Sequence, residues 1–530
     1  MDPPGRLRQT EQANRRNQDC WQMMQVRIPS LECLIHLKDL KPTLDRRLSM
    51  TRRVLMMGVL LNAGVWTTAT QAQEFDLRAA KTLTVEQAAS LKLKGGSLRF
   101  DKLAELPPEV AAALAKHRIE LEFGSLASVS AETIKAFAGH NAGLSFPKTV
   151  ALSPDQARIL AGYGGSKLSL NGLPTVSPEV AKALADYKGE LHLNGAKELS
   201  ADAAAALAGR KGAIHLGGLT SLTSIPLAQK LGGQNFMSLN ALATISDDVA
   251  RALFMSPDAK KGVELYLGLK ELSLGTAKAM GERGRTVGAH FHMNELESIP
   301  DEIAEALSCR AAIRCTKVTK LSDRAAKALN QFSHSHMYAL SDVSNEALEM
   351  FSKRGGFMIH GLKKLDCVPF ASTLMSNNSS FLDLNQLETI SEEAADALAK
   401  DAIRSKRGVV PLPSLKSLNS VALAEVLAER KGNLALPKLD AAPDAVVRAL
   451  AAHQGPLSLG LKSFSVEAAK AVAQRQDDTT LGVTKLSDEA AKELAQAKGK
   501  ISLANLTEIS DASLAALRAN PKILLPKSIK

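Results

Sequence analysis

Histidine and tyrosine recur in this chain at one place in a short motif. They fill the second and fourth residues of alternating segments of the L-x-L kind. The second residues read His192, His215, Ser238, Tyr266, His292, Arg314 and His336 through the middle of the chain, and the fourth residues add Tyr338 and His360. An imidazole titrates near neutral pH and can hold an anion, a metal or a proton, and flat rings on adjacent strands stack. Forty such positions, in a chain with 11 His among 530 residues, would hold about 0.8 His by chance, and five are present. The eight of these other than Ser238 are therefore expected to form one ligand-binding patch for a protein or a glycan. Their histidines, if unperturbed, would gain positive charge between about pH 7.5 and 5.5. No carboxylate or thiol stands at the second or fourth positions of the same segments, so neither a metal site nor a cofactor is expected.

Other chemistry is scarce. The chain has no H-E-x-x-H, no G-x-S-x-G, no phosphate-binding G-x-x-x-x-G-K-[ST] and no C-x-x-C pair. The nearest approach to a nucleophile and base is Cys367 with His360, a thiol in a turn and an imidazole on the surface. An enzyme is not expected.

The elements that must position the patch come from repetition. LSLNGLPTVSPEVAKALADYKGE (168–190) is followed without a gap by LHLNGAKELSADAAAALAGRKGA (191–213), and the unit recurs from Phe75 to the C-terminus. Its first apolar residue falls at 75, 98, 121, 144, 168, 191, 214, 237, 265, 291, 313, 335, 357, 382, 410, 434, 457, 479, 501 and 523, a mean period of about 23.6 residues. Steps of 28, 26, 25 and 28 after 237, 265, 357 and 382 read as loop insertions. Within a unit, L-x-L alternates with period two, so positions 1 and 3 face a core and 2 and 4 face out. Ser177, Pro178 and Glu179 then supply a helix N-cap, a first-turn Pro and an acid at the positive end of the helix dipole. Val180, Ala181 and Leu184 form its apolar face, while Lys188 and Gly189 end it, with Gly189 expected in a left-handed turn. One such unit cannot bury its own apolar face, so the units must stack.

With leucines at positions 1, 3, 6 and 9 and a period near 23, the chain resembles the bacterial leucine-rich repeat proteins over Phe75 to Lys530. The resemblance implies an α/β solenoid, with short parallel strands on a concave face and short helices on the convex face. Its motifs are specific for architecture and almost silent on activity. One departure stands out: the family's Asn at position 6 is here Leu173, Leu219, Leu242, Leu387 or Leu506, and Asn stands at position 4 instead (Asn171, Asn194, Asn240, Asn294, Asn385). The turn after the strand must satisfy its backbone in another way. A single ladder of roughly 20 rungs is expected, closed by a terminal strand in ILLPKSIK.

Residues 51–74, TRRVLMMGVLLNAGVWTTATQAQE, place an Arg pair before a 13-residue apolar run and small residues Thr70 and Ala72 after it. That order is read as a signal peptide over 50–72, starting at Met50, with 1–49 a non-native or disordered extension and 73–530 a single solenoid of about 20 units. The apolar run is too short to span a bilayer by itself. An extracytoplasmic location follows: secreted, periplasmic or in the cell envelope. Residues 1–72 carry 11 of the 66 Lys plus Arg and 6 of the 55 acids, which leaves 55 against 49, or +6. Three cysteines remain, Cys309, Cys315 and Cys367, too few for a disulfide framework; Cys315 is inward, and a Cys309 to Cys315 bridge is left open. Cations in the helix-to-strand loops, Lys260, Lys261, Arg283, Arg285, Lys353, Arg354, Arg404, Lys406, Arg407, Arg430 and Lys431, mark a basic rim where a polyanion is the alternative partner. Nucleic acid is not an expected partner. The expected function is an exported, non-enzymatic binding or adhesion scaffold; the alternatives are a structural envelope or matrix spacer and an enzyme inhibitor.

Overall fold

The computed structural model describes residues 78–529, apart from 92–95, 355–356, 377–383, 407 and 410. The chain divides into Met1–Glu74 and Phe75–Lys530, and every described residue belongs to the second unit. The extension at 1–49 and the signal peptide at 50–72 lie outside the described residues.

Phe75–Lys530 is an α/β repeat of short parallel strands and short helices in strict alternation through most of its length. Each anchor that falls among the described residues sits in a strand, and positions 1 and 3 are buried, as Leu98 and Phe100, Leu121 and Phe123, and Leu457 and Leu459 show. The helix that follows is capped as its sequence dictates: Ser177 Oγ accepts the Val180 N–H at 3.3 Å, Pro178 takes the first turn, and Val180, Ala181 and Leu184 are buried. Every helix packs against the next along the sequence, and one apolar cluster runs from Leu83 to Ile523. Each fully buried Leu contributes about 2 kcal/mol relative to exposure, and the stack gathers these contributions unit by unit.

The strand ladder is not continuous, contrary to the expectation of a single run. Among the described residues it forms a six-stranded sheet from Ser97–Phe100 to Ile214–His215, a second of six from Phe236–Leu239 to Phe357–Ile359, a pair made by Lys364–Leu365 and Thr389–Ile390, and a sheet of five from Leu434–Leu436 to Ile523–Leu524. The last strand is the one expected in ILLPKSIK, and it pairs in parallel with Ile501–Ser502. The first break has a visible cause. Gln234 inserts its side-chain amide where the next strand would bond: its Oε1 accepts from Ile214 N at 2.6 Å and its Nε2 donates to Ile214 O at 3.0 Å. A side chain thus replaces one rung, while the helices continue across the break.

The missing position-6 Asn is compensated at two levels. Asn171 Oδ1 accepts from Asn194 N at 3.0 Å and Asn194 Oδ1 accepts from Gly217 N at 2.7 Å, tying successive strand ends together. Behind the helices, residues just past several helix ends reach back to carbonyls of the preceding turn. Tyr187 Oη donates to Gly165 O at 2.8 Å, Arg210 donates to Leu184 O at 2.7 Å and Gly189 O at 2.6 Å, and Asn520 Nδ2 donates to Ala495 O at 2.8 Å. Gly189 is not in a left-handed turn, and the residues that are include Gly96, Gly262, Gly288, Gly408, Gly432 and Gly455. Its requirement is proximity: a Cβ there would lie 2.3 Å from Tyr187 Oη and 2.7 Å from Gly165 O. Any side chain would push adjacent turns apart.

Candidate functional site: a row of rings on the strand face

Parallel pairing in register sets the geometry. His192 is the partner of His215, Tyr266 of His292, His292 of Arg314, Arg314 of His336, and His336 of Met358. Side chains on neighbouring strands are about 4.8 Å apart, close to ring-stacking distance. His192 and His215 stack at 4.2 Å with 15° between planes, and Tyr266 and His292 at 4.1 Å with 9°. Tyr338 and His360 stack at 4.5 Å, and His336 lies 5.9 Å from His360. Phe236, which the sequence analysis passed over, joins the first two groups with centroids 5.9 Å from His215 and 5.5 Å from Tyr266. It also bridges the sheet break. Arg314 occupies the rung between His292 and His336, while Tyr338 and His360 stand one position further along their strands and stack beside His336.

The row is less open than expected. His292 and His360 are buried, and so are Ser145 and Ser169 farther up the same ladder; Tyr338 and Phe236 are exposed. Carboxylates stand beside the imidazoles after all. Glu190 Oε1 takes the His192 Nε2–H at 2.9 Å and lies 2.7 Å from His215 Nε2. Glu264 takes His290 Nδ1–H at 2.8 Å and also the Nε2–H of His292. Both acids, with His290 and Phe236, occupy the residue immediately before position 1. That residue is two before position 2 and so shares its face, a signal that the count of positions 2 and 4 left out.

Electrostatics follow from this crowding. Burial, opposed by the contacts with Glu264, leaves His292 below the usual imidazole range. Burial and the neighbouring His215 do the same to His192. His336 is pushed down to about 4 by burial, then by Arg314, His360, His334 and His292. Burial raises the Glu264 carboxyl, but the hydrogen bonds from His292 and His290 outweigh it and hold the group below its ordinary value. His192, His292 and His336 therefore do not charge as free imidazoles would between pH 7.5 and 5.5; they take their protons at lower pH.

A stability test follows. An unfolded His binds its proton near pH 6.5 and folded His336 near 4, so the unfolded state gains protons first as pH falls. The contribution of neutral His336 is complete above about pH 6.5 and is lost on the way down to about 4. Thermal melts of His336→Ser should lose less stability over that window than the wild type. Identical slopes, or an NMR titration of His336 at 6.5 or above, would contradict the assignment.

The remaining candidates resolve as follows. Cys309, Cys315 and Cys367 are buried free thiols, so no bridge joins the first two. Cys315 is pushed up to about 12 by burial. Cys367 is also raised by burial and donates to Asn345 O at 3.5 Å, the opposite of an activated nucleophile. Four cations of the basic rim are taken up in internal ties: Arg283 is buried and donates to Gly232 O at 3.0 Å, Arg285 to Ser308 O at 2.9 Å, Arg404 to Ser372 O at 2.9 Å and Arg430 to Val409 O at 2.8 Å. Arg407 lies outside the described residues. Among the described residues, no helix is long and apolar enough to cross a membrane.

No protein-family model matches the chain, and no curated protein matches it. Among solved structures, it is similar to an internalin from Listeria monocytogenes at a TM-score of 0.27 and 12% identity, covering 75% of this chain and 89% of that one. A TM-score of that size carries no argument, and the fold stands on the strand register and helix stacking described above.

Proposed function

We propose that the chain is an exported, non-enzymatic scaffold that binds a protein or glycan through the row His192, His215, Tyr266, His292, Arg314, His336, Tyr338 and His360. The observation that carries this reading is the succession of rings from His192 to His292, relayed by Phe236 across the gap between two sheets. A sheet face that needed only to be solvated is made elsewhere in the same chain, where Ser458, Thr480 and Ser502 occupy the equivalent rungs. Rings offer contact area at low entropic cost, and Tyr and Arg are the residues on which binding energy concentrates. Export rests on the order of Arg pair, apolar run and small residues over 50–72. The absence of any activated nucleophile among the described cysteines favours binding over catalysis.

The test is saturable capture of an envelope protein or an arrayed glycan by the full chain. Tyr266→Ser with Tyr338→Ser is expected to weaken binding by at least about 30-fold, the size of one lost anchor of about 2 kcal/mol. Thr480→Ser should leave it unchanged. A chain that captures nothing saturably is a spacer, and capture indifferent to the tyrosine pair puts the contact elsewhere.

A further inference from the structure

We propose that Glu190, His192 and His215 form a binding site for a first-row divalent metal ion of borderline hardness, zinc foremost. Glu190 and His192 stand two residues apart on one strand and leave the same face. His215 is the register partner of His192 on the next strand. Backbone pairing thus gathers the three donors before any ion arrives. One ligand atom from each lies within 4.8 Å of the others, with Glu190 Oε1 2.9 Å from His192 Nε2 and 2.7 Å from His215 Nε2.

The second observation is an unsatisfied atom. His215 Nε2 is buried, and although the carboxylate is near, it makes no aligned hydrogen bond. A metal ion would take the lone pair of that nitrogen and neutralise the carboxylate together. The two imidazoles are 18% and 12% exposed and Glu190 is 43% exposed, so an ion reaches the site from the carboxylate side. The nearest cation on the face, Lys167, is held by Glu120 at 2.6 Å, which weakens its opposition to a second positive charge.

Two imidazole nitrogens and one carboxylate oxygen suit zinc and its first-row neighbours, whereas calcium and magnesium ask for oxygen ligands throughout. Three protein ligands leave a coordination position open to solvent on the strand face. Loading changes the site in two ways. Rings stacked at 4.2 Å cannot both hold one ion in their planes, so the stack must open. The proton that His192 donates to Glu190 must also leave. Glu264 with His290 and His292 is the natural comparison, since there each carboxylate oxygen already has its own ring N–H.

The experiment is calorimetric titration of the chelator-stripped full chain with zinc chloride at neutral pH, with cobalt as a visible-absorption probe. The expected result is one ion per chain, proton release, no competition from calcium, and the cobalt spectrum of a low-coordinate site. Glu190→Gln and His215→Ser should each weaken zinc binding by at least roughly 100-fold, the upper end of what losing an outer-shell partner costs. Glu264→Gln should bind as the wild type does. Circular dichroism keeps the comparison to folded variants, and Glu190→Gln, which preserves shape, decides the matter if His215→Ser fails to fold. Failure to take up stoichiometric zinc, uptake that survives Glu190→Gln, or uptake abolished by Glu264→Gln would each overturn the site. None of these readouts involves the protein or glycan partner.

Discussion

Leu170→Asp is expected to destabilise the repeats around it by about 5 kcal/mol, whereas Thr480→Asp should change stability by less than about 0.5 kcal/mol. Leu170 occupies an inward strand position, is 1% exposed, and its N–H is bonded to His192 O at 2.9 Å. Truncating a buried Leu costs about 2–5 kcal/mol, and a carboxylate left in that space finds no donor. Thr480 is exposed on the opposite face of its strand, between Ser458 and Ser502. Because stability in a repeat stack is a sum of unit and neighbour contributions, the damage from Leu170→Asp should begin locally, with amide exchange rising first in the adjoining repeats. Denaturant unfolding of both variants checks the pair. Equal losses would mean the strand faces are reversed.

Arg475→Met should cost about 3 kcal/mol, although it removes no apolar contact area to speak of. The guanidinium donates to Ala451 O at 2.8 Å, His453 O at 2.6 Å and Gly455 O at 2.6 Å, and its Nε donates to Thr479 Oγ1 at 2.9 Å. Burial lowers its pKa, partly offset by Asp477, yet an arginine so placed stays charged. Without it three carbonyls of the preceding turn lose their donor inside the stack, at about 1–3 kcal/mol for each group left unmade and not offset by water. Arg475→Lys should recover only part of the loss, since one ammonium cannot reproduce the planar fork. Thermal and denaturant midpoints measure it; a Met variant as stable as the wild type would show that the ties behind the helices contribute nothing.

The layered architecture was legible because its causes are local and repeated. Leu168 and Leu170, the Ser177 cap and the Val180, Ala181 and Leu184 face each follow from a period that the chain states many times over. What stayed hidden depends on neighbours in space. Glu190 and Glu264 are outward by the same alternation that exposes His192 and Tyr266, but their role appears only when the adjoining strand brings His215 or His290 to them. Gly189 reads as a helix terminator, while the residue it must clear is Gly165, one turn earlier in the stack. Gln234 looks like any polar loop residue until its amide is seen bonding Ile214. Part of the basic rim was hidden for a related reason: Arg283, Arg404 and Arg430 are cations whose partners are carbonyls of other repeats, and a carbonyl has no signature in sequence.

Most of the ties behind the helices reach in one direction, the forward bonds of Arg285 to Ser308 O and of Asn330 to Met350 O apart. Tyr187, Arg210, His453, Arg475 and Asn520 each donate to carbonyls of the turn before their own. On a ribosome, then, most newly emerged turns would have carbonyls waiting bare until the following repeat came out and closed them. Assembly that starts at the N-terminal end would advance like a ratchet, each repeat locking its predecessor while itself remaining loose, so the growing tip is always the least finished part of the molecule.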